Sequence, residues 1–382
     1  MYIVDVKRTP VGKFLGSLSH LTAPELTKPL FDNFIERYDF LKNDTDEIIL
    51  GNVLSAGIGM NPARIAAIQG GMNNSIPAYT INQVCGSGLN AIHQGFRAIS
   101  MGDASLVIAG GMESMSQAPH IVRKMRAGVK YGSSEIVDTI LCDGLYCSLS
   151  GKLMGETAEV LAKKYKISRA SQDAFSLQSH KKAITAAKDM TKFSPDVIPL
   201  AGLTSDEGPR SDTTLEKLKA LRPIFDAKGS VTAGNASGMN DGAALALLAS
   251  EKALKKYSLK PKAKIKDVVQ VGLDPEFMGM GAKLAIDAIL KRNNLSTKGI
   301  GVFEINEAFA AQTLAVLQEL KIPEEKVNMY GGALAIGHPL GMSGTRIVGS
   351  LMNAMRNNNH QFGIASVCVG GGQGVGILIE NI

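Results

Sequence analysis

Short apolar runs alternate with helical periods at both ends of this chain, and a long charged segment separates the two alternating regions. The first third carries the strand-type runs YIVDV, EIILGNV, AYTINQV and SLVIAGG, and the last third carries GVFEI, GIASVCVGG and GVGILIE. Strands that alternate with helices in this way favour an α/β fold with a largely parallel sheet. Residues 117–236 show charged helical periods and turns instead, which indicates an inserted loop and helical subdomain.

Two stretches of the chain resemble each other. CGSGLNAIHQGFRAI precedes the run SLVIAGGM, and GMSGTRIVGSLMNAM precedes IASVCVGGG. Each is a glycine-opened helix followed by an apolar strand that ends in glycines, which is the pattern of a repeated unit. We therefore predict two similar βαβ-type halves, residues 1–116 with 237–259 and residues 260–382, around an inserted subdomain at 117–236.

Composition narrows the class of protein. The 382 residues exceed the usual size of one domain, and 41 glycines suit an enzyme with many tight turns. Four cysteines cannot form a disulfide framework, so we expect a reducing, cytoplasmic environment. We see no signal-peptide profile and no apolar run near the ~18 residues of a membrane span. The net charge is +6, but aromatic residues do not alternate regularly with the basic ones, as a surface that stacks on bases would require. The basic residues therefore favour solvated helix faces or a phosphorylated small ligand over nucleic acid.

Cys85 precedes Gly86 and Gly88 where a strand passes into a helix. Unpaired amides and the helix dipole at such a place favour a thiolate and lower the pKa of the thiol. Cys85 is therefore a candidate nucleophile, although a small buried residue at a helix start explains the same pattern. Gly86, Gly88 and Ala91 also match the dinucleotide fingerprint G-x-G-x-x-A with Glu113 as its acid, but that fingerprint has no use for the cysteine.

Three further residues are candidates for chemistry. His338 lies in the glycine-lined loop GGALAIGHPLGMSGT, where it is poorly suited to core packing and could activate a thiol. Cys368 closes an apolar strand before three glycines, and either fills a strand end or carries chemistry. Asn306 in EINEAFAAQ either caps a helix or holds a water against an oxyanion. We expect no metal, because Cys142 and Cys147 form an isolated C-x4-C pair.

Several longer motifs point to one family. VDVKRTPVGKFLGSL, GGMESMSQAP, TAGNASGMNDGAA, NEAFAAQ, GHPLGMSGTRI and CVGGGQG occur in this order, and together they resemble the thiolase family over essentially the whole chain. The resemblance is greatest to acetyl-CoA acetyltransferases, the acetoacetyl-CoA thiolases. It implies a layered α-β-α-β-α core built from two similar halves. It also implies the reversible condensation of two acetyl-CoA to acetoacetyl-CoA and CoA, or thiolysis in reverse.

The resemblance assigns roles to individual residues. It makes Cys85 the acylated nucleophile, His338 the group that takes its proton, and Cys368 the base that removes the α-proton of acetyl-CoA. Asn306 would hold a water in one oxyanion site with His338, and the backbone amides of Cys85 and Gly370 would form the other. The family positions that contact coenzyme A and the acyl chain match Leu145, Met154, Arg210, Ala233, Ser237, Met278 and Phe309.

The same resemblance bears on partners. It implies acetyl-CoA, acetoacetyl-CoA and CoA as ligands, with no tightly bound cofactor, no metal, no nucleic acid and no membrane. The stretch Ile121 to Asp138 resembles a tetramer-forming loop, so we expect a homo-oligomer, specifically a tetramer built as a dimer of dimers.

One departure from the family pattern leaves the substrate open. Short-chain thiolases often have histidine where this chain has Leu153, and leucine removes a hydrogen-bonding group from the acyl pocket. A 3-ketoacyl-CoA thiolase of broader chain length, acting in fatty-acid degradation, is therefore an alternative. A non-catalytic CoA- or nucleotide-binding homologue and a dehydrogenase are alternatives from other classes.

Overall fold

The computed structural model describes residues 1–382 and contains fourteen strands and thirteen α-helices. The strands are β1 (Tyr2–Arg8), β2 (Gly12–Lys13), β3 (Glu47–Gly51), β4 (Ala78–Ile81), β5 (Leu106–Ser114), β6 (His120–Val122), β7 (Ile136–Asp138), β8 (Tyr146–Cys147), β9 (Lys152–Leu153), β10 (Asn240–Ala249), β11 (Ala263–Gly272), β12 (Val302–Ile305), β13 (Phe362–Val369) and β14 (Gln373–Asn381). The helices are α1 (Ala23–Arg37), α2 (Leu41–Asp44), α3 (Pro62–Gln69), α4 (Ser87–Met101), α5 (Met154–Lys164), α6 (Arg169–Ala187), α7 (Met190–Phe193), α8 (Leu215–Lys219), α9 (Glu251–Lys256), α10 (Gly281–Arg292), α11 (Ala310–Leu320), α12 (Ala333–Ile336) and α13 (Leu340–Asn357).

The large sheet consists of two parts. The N-terminal part has the order β1-β10-β5-β3-β4, and the C-terminal part has the order β11-β14-β13-β12. A short antiparallel contact between β1 and β11 joins them. The pairs β3/β4, β3/β5 and β12/β13 are parallel, whereas β10 and β14 are antiparallel to both neighbours. The expectation of a largely parallel sheet is wrong, because β14 returns in a hairpin and β10 returns from the inserted segment.

Three clusters of buried apolar side chains fill the spaces between five layers of helices and strands. The largest lies between the two parts of the sheet and includes the buried faces of α4 and α13. A second packs α10 and α11 on the C-terminal part, and a third packs α1 and α3 on the N-terminal part. Successive strand residues face opposite sides, so Val107 and Ala109 enter the central cluster while Leu106 and Ile108 enter the outer one. The predicted α-β-α-β-α layering is confirmed.

Helices α4 and α13, which come from the two repeated stretches, cross closely at their N-terminal ends. A Cβ added to Gly88 would lie 2.6 Å from the carbonyl oxygen of Gly341, and one added to Gly344 would lie 2.3 Å from the backbone nitrogen of Leu89. Only glycine permits this approach. It brings the turn before α4, which contains Cys85, close to the start of α13.

The segment 117–236 lies over the C-terminal part of the sheet. Its helices α5 and α6 pack on α11, and its hairpin of β8 and β9 leads directly into α5. A second hairpin, β6 with β7, carries exposed side chains at its tip, including Tyr131 and Val129. The boundaries of this segment and of the two halves remain predictions. None of the helices is both long and apolar enough to cross a membrane.

Candidate active site

Cys85 lies two residues before α4, and only 8% of its surface is exposed. Its predecessor Val84 has a φ of 47°, a strained conformation for a β-branched residue that turns the chain sharply into the helix. Burial raises the pKa of the Cys85 thiol to about 11, although hydrogen bonding to the backbone amide of Gly370 works in the opposite direction. The expected lowering of this pKa is therefore wrong for the resting site, where desolvation outweighs the helix start.

His338 is buried, and three neighbours fix its position. Its backbone N–H donates to Oδ1 of Asn240 at 3.0 Å, and its Nδ1 lies 2.6 Å from Oγ of Ser343. Its Nε2 lies 3.3 Å from Nδ2 of Asn306. Burial, assisted by the positive charge of Arg346, lowers the pKa of His338 to about 3. The resting pair is therefore a neutral imidazole with a neutral thiol.

Asn306 follows β12 and is fully buried, with its Oδ1 unpaired. Its backbone N–H donates to the carbonyl of Ser366 on β13 at 3.0 Å, which holds the turn against the neighbouring strand. The side-chain amide reaches His338 rather than capping α11, whose N-cap Phe309 makes no side-chain bond. The structure therefore favours a place in the site over the capping alternative.

Cys368 lies near the end of β13 and is almost fully buried. Burial raises the pKa of its thiol well above the ordinary range, and ionisation of Cys85 would raise it further. The two thiols therefore interact electrostatically although they are far apart in sequence. A thiol of this kind rests protonated and is a strong base once it has lost its proton.

Glu113 at the end of β5 anchors the loops around both catalytic candidates, and sequence reasoning missed this. Its carboxylate accepts hydrogen bonds from the backbone of Val53 and Leu54, from the Asn52 amide, and from the backbone N–H of Gly341 at 2.8 Å. Burial raises the pKa of Glu113 to about 7, against the lowering effect of these donors. The sequence marked Glu113 only as a possible dinucleotide-binding acid.

Glu307 anchors the other side of the His338 loop. Its carboxylate accepts hydrogen bonds from Nδ2 of Asn328 at 2.7 Å, from Oγ of Ser179 at 2.7 Å and from the backbone N–H of Leu334 at 3.2 Å. Two buried acids on neighbouring parts of the fold thus hold the loop from both ends. A buried carboxylate with this many donors has a structural role, because each donor would otherwise be left unpaired.

An apolar cavity of about 350 Å³ brings the candidates together. Cys85, His338 and Cys368 line it, and sixteen of its 21 lining residues are hydrophobic, which suits an acyl chain and its carrier arm. Six predicted ligand-binding residues also line it: Leu145, Met154, Ala233, Ser237, Met278 and Phe309. Leu153 is part of the wall too.

Three predicted residues lie outside the lining: Asn306, Arg210 and Gly370. Arg210 is exposed, and its backbone N–H donates to Nδ1 of the buried His180 at 3.2 Å. Gly370 is in contact with the site through its backbone amide, which hydrogen-bonds to the Cys85 thiol, and a Cβ at this position would lie 3.2 Å from the sulfur of Met154. A larger open groove of about 740 Å³ runs between α5 and residues 225–230, but it contains none of the catalytic candidates. No group of three or more His, Cys, Asp or Glu side chains is placed to hold a metal ion.

This fold and this pair of thiols around an apolar cavity define an enzyme that transfers acyl groups. Residues 1–252 match the family model described as "Thiolase, N-terminal domain", and residues 259–381 match "Thiolase, C-terminal domain". The chain belongs to the thiolase family and is an acyltransferase. The non-catalytic and dehydrogenase alternatives are therefore set aside.

Relatives and solved structures agree with this assignment. Proteins named "Probable acetyl-CoA acyltransferase" from Staphylococcus aureus and Staphylococcus epidermidis are each 43% identical to the chain. The S. aureus match covers 98% of this chain and 97% of the relative, and the S. epidermidis match covers 99% of this chain and 98% of the relative. The Bacillus anthracis acetyl-CoA acetyltransferase matches with a TM-score of 0.97 and 39% identity, over 100% of this chain and 98% of that one. The human mitochondrial 3-ketoacyl-CoA thiolase in complex with CoA matches with 0.96 and 39%, over the same shares.

Proposed function

We propose that the protein interconverts two acetyl-CoA with acetoacetyl-CoA and CoA through an acyl-enzyme on Cys85, and that it also cleaves somewhat longer 3-ketoacyl-CoA substrates. The observation that carries this proposal is the common cavity of Cys85, His338 and Cys368. A thioester on Cys85 has nearly the same energy as the CoA thioester that it replaces. The acyl group therefore transfers at little cost and stays activated.

The first half of thiolysis uses all three side chains. The sulfur of Cys85 attacks the 3-keto carbonyl while His338 takes its proton at Nε2. The bond between the α- and β-carbons then breaks, and the acetyl-CoA enolate takes a proton from the thiol of Cys368. Because burial holds the pKa of Cys368 high, this thiol rests in the protonated form that the step requires.

The second half restores the resting state. The thiolate of Cys368 takes the proton of an incoming CoA thiol, and the CoA sulfur attacks the Cys85 thioester. The released Cys85 sulfur recovers its proton from His338. Condensation is the same path in reverse, with Cys368 as the base that removes the α-proton of acetyl-CoA.

Two sites for developing negative charge support the path. The backbone amides of Cys85 and Gly370 already contribute hydrogen bonds that lower the pKa of the Cys85 thiol, so they face the atom where the acyl group forms. Protonated His338 with a water on Asn306 serves the other oxyanion. These roles of Cys85, Gly370, His338 and Asn306 are our proposal.

We propose that coenzyme A binds along the part of the cavity lining that contains none of the catalytic candidates. We assign its arm to Leu145, Ala233, Ser237 and Met278, its acyl end to Met154 and Phe309, and its phosphates to Arg210 at the surface. The exposure of Arg210 supports the last assignment, because phosphates need not be desolvated there. We further propose a cytoplasmic homotetramer that uses the β6–β7 hairpin.

The two candidate substrates, acetoacetyl-CoA and a longer 3-ketoacyl-CoA, differ in the length of the acyl chain. The named relatives and structures include both an acetyl-CoA acetyltransferase and a 3-ketoacyl-CoA thiolase at equal identity, so similarity does not choose between them. Rates of thiolysis over a series of 3-ketoacyl-CoA chain lengths provide the test. Activity on the four-carbon substrate that falls gradually with length supports the proposal, and activity only on long chains contradicts it.

A further inference from the structure

An acidic and a basic side chain, Glu304 on β12 and Arg346 on α13, are both buried and do not pair with each other. Glu304 and Arg346 are each about 1% exposed, and neither oxygen of the carboxylate and none of the three guanidinium nitrogens has a hydrogen-bond partner. Arg346 takes part in none of the ion pairs of the structure. A guanidinium cannot lose its charge in a protein. The positive charge is therefore buried and is not neutralised by contact.

The two residues lie on the elements that carry the catalytic pair. Glu304 lies on β12, and Asn306 is the residue that directly follows the end of this strand. Arg346 is three residues after Ser343 on α13, so both occupy one helix face. Ser343 and Asn306 are the side chains that contact the imidazole of His338. Arg346 therefore lies on the same face of α13 as Ser343, which contacts the imidazole of His338.

The electrostatic surroundings agree with this geometry. Arg346 is the one charged group that shifts the pKa of His338, and it acts in the same direction as burial. Burial lowers the pKa of Arg346 itself and raises the pKa of Glu304 to about 8, so the carboxyl is mostly uncharged at neutral pH. The other charged groups that face these residues are Arg8, Asp206 and Glu307 around Arg346, Lys182 and Glu307 around Glu304, and Glu113 beside Cys85.

We propose that Arg346 is a positioning residue for acyl transfer: its unneutralised buried charge keeps His338 an uncharged imidazole and thereby keeps Cys85 a thiol at rest. An imidazolium next to Arg346 is unfavourable, so His338 holds a proton only briefly and returns it to the departing sulfur. Glu304 moderates this effect when it is ionised. The inference rests on the roles proposed above for Cys85 and His338.

Alkylation of Cys85 tests the proposal without turnover, because iodoacetamide reacts with the thiolate. The rate at Cys85 is followed by mass spectrometry of its peptide from about pH 6 to pH 10 in wild type, Arg346→Met, Glu304→Gln and the double variant. In Arg346→Met the thiolate–imidazolium pair becomes more populated, so we expect about tenfold faster alkylation at neutral pH, which corresponds to about one unit of pKa. Glu304→Gln should match wild type below about pH 8 and react more slowly above it, because no carboxylate then opposes Arg346.

The double variant guards against misfolding. Arg346→Met removes the largest positive charge acting on the buried Glu304, which can destabilise the fold, whereas removal of both charges is often tolerated. The double variant should be as stable as wild type by thermal melting and still alkylate faster. Unchanged alkylation in folded Arg346→Met or in the double variant, or the same direction of change in both single variants, overturns the inference. If Cys85→Ala retains thiolase activity, the proposed function fails instead.

Discussion

The Oγ of Ser343 lies 2.6 Å from Nδ1 of His338 and 2.8 Å from the carbonyl oxygen of Pro339. A hydroxyl has one proton, and it donates that proton in a hydrogen bond to the carbonyl of Pro339, so Nδ1 must carry a proton and donate a hydrogen bond to Ser343 Oγ. Nε2 is then an acceptor, which agrees with the Asn306 amide nitrogen at 3.3 Å. The group that orients the imidazole of His338 is therefore a serine hydroxyl, whereas many nucleophile–base pairs use a carboxylate.

We predict that Ser343→Ala lowers kcat by about five- to hundredfold, since an unpaired buried N–H costs about 1–3 kcal/mol and frees the imidazole to turn. Thiolysis of acetoacetyl-CoA measures the loss. Ser176→Ala is the matched control, because Ser176 is also a buried helix serine that donates to a backbone carbonyl, that of Gln172 at 2.9 Å. Full activity in Ser343→Ala would show that the hydroxyl does not orient His338.

Cys85→Ala should abolish condensation and thiolysis but leave CoA binding intact, because the nucleophile is lost while the cavity wall keeps its Cβ. Turnover assays and calorimetric titration with CoA measure the two properties. Cys142→Ala provides the control, as this cysteine lies in the π-helical turn Ile140–Leu145 and does not line the cavity. Turnover of Cys85→Ala near the wild-type rate excludes a covalent mechanism on this residue.

The layered fold was predictable from the sequence because its signals are local. Apolar runs and glycine-opened helices identify the strands and the repeated halves, and Cys85 and His338 stand out at glycine-rich joins. The parallel or antiparallel direction of β10 and β14 was not predictable, since it depends on where the chain returns after long connections.

The pKa values of the site were also beyond the sequence. A helix start indicates a more acidic thiol, yet the burial of Cys85 depends on residues far along the chain, such as Val369 and Val375, against which Gly86 packs. The anchoring role of Glu113 was hidden for the same reason, because its donors come from residues 52–54 and from Gly341. Contacts between such distant segments leave no local pattern.

Glu113→Gln tests this anchoring. The amide NH2 of glutamine would face backbone N–H donors that now point at carboxylate oxygens, so at least one donor loses its partner at a cost of about 1–3 kcal/mol. We expect a lower melting temperature and a kcat reduced at least tenfold, because the first turn of α13, which contains Gly341, moves relative to Cys85. Glu207→Gln is the comparison: Glu207 also accepts several bonds, from Lys13 and Ser17, but near the surface. Equal behaviour of the two variants would contradict a special role for Glu113.

Cys368→Ser should still allow acetyl-CoA to acetylate Cys85 but should block formation of the carbon–carbon bond. A serine hydroxyl is far too weak an acid to exchange protons near neutral pH, whereas it fills nearly the same space as the thiol. Mass spectrometry of the intact protein after addition of acetyl-CoA reports acetylation, and acetoacetyl-CoA production reports condensation. If both fall to the same degree, the substitution has disturbed the whole site and the separate role of Cys368 is not supported.

Leu153 lines the cavity beside Met154 at the start of α5, so its side chain can influence which acyl chains are accepted. Its backbone N–H is already bound to Glu156 at 2.6 Å, so only its apolar side chain is offered to the substrate. Leucine neither donates a hydrogen bond nor holds a water, and each additional substrate methylene that finds room gains up to ~0.8 kcal/mol. We therefore expect cleavage of both acetoacetyl-CoA and 3-ketohexanoyl-CoA.

In Leu153→His the preference should shift toward the four-carbon substrate by up to about fifteenfold in the ratio of kcat/KM, which corresponds to the burial of two methylenes. Leu149→His is the control, since Leu149 lies in the same turn region but is 74% exposed and outside the cavity. The ratio should not change in that variant. Refusal of the six-carbon substrate by wild type, or an unchanged ratio in Leu153→His, would show that chain length is set elsewhere, with Met154 and Phe309 as the remaining side chains at the acyl end.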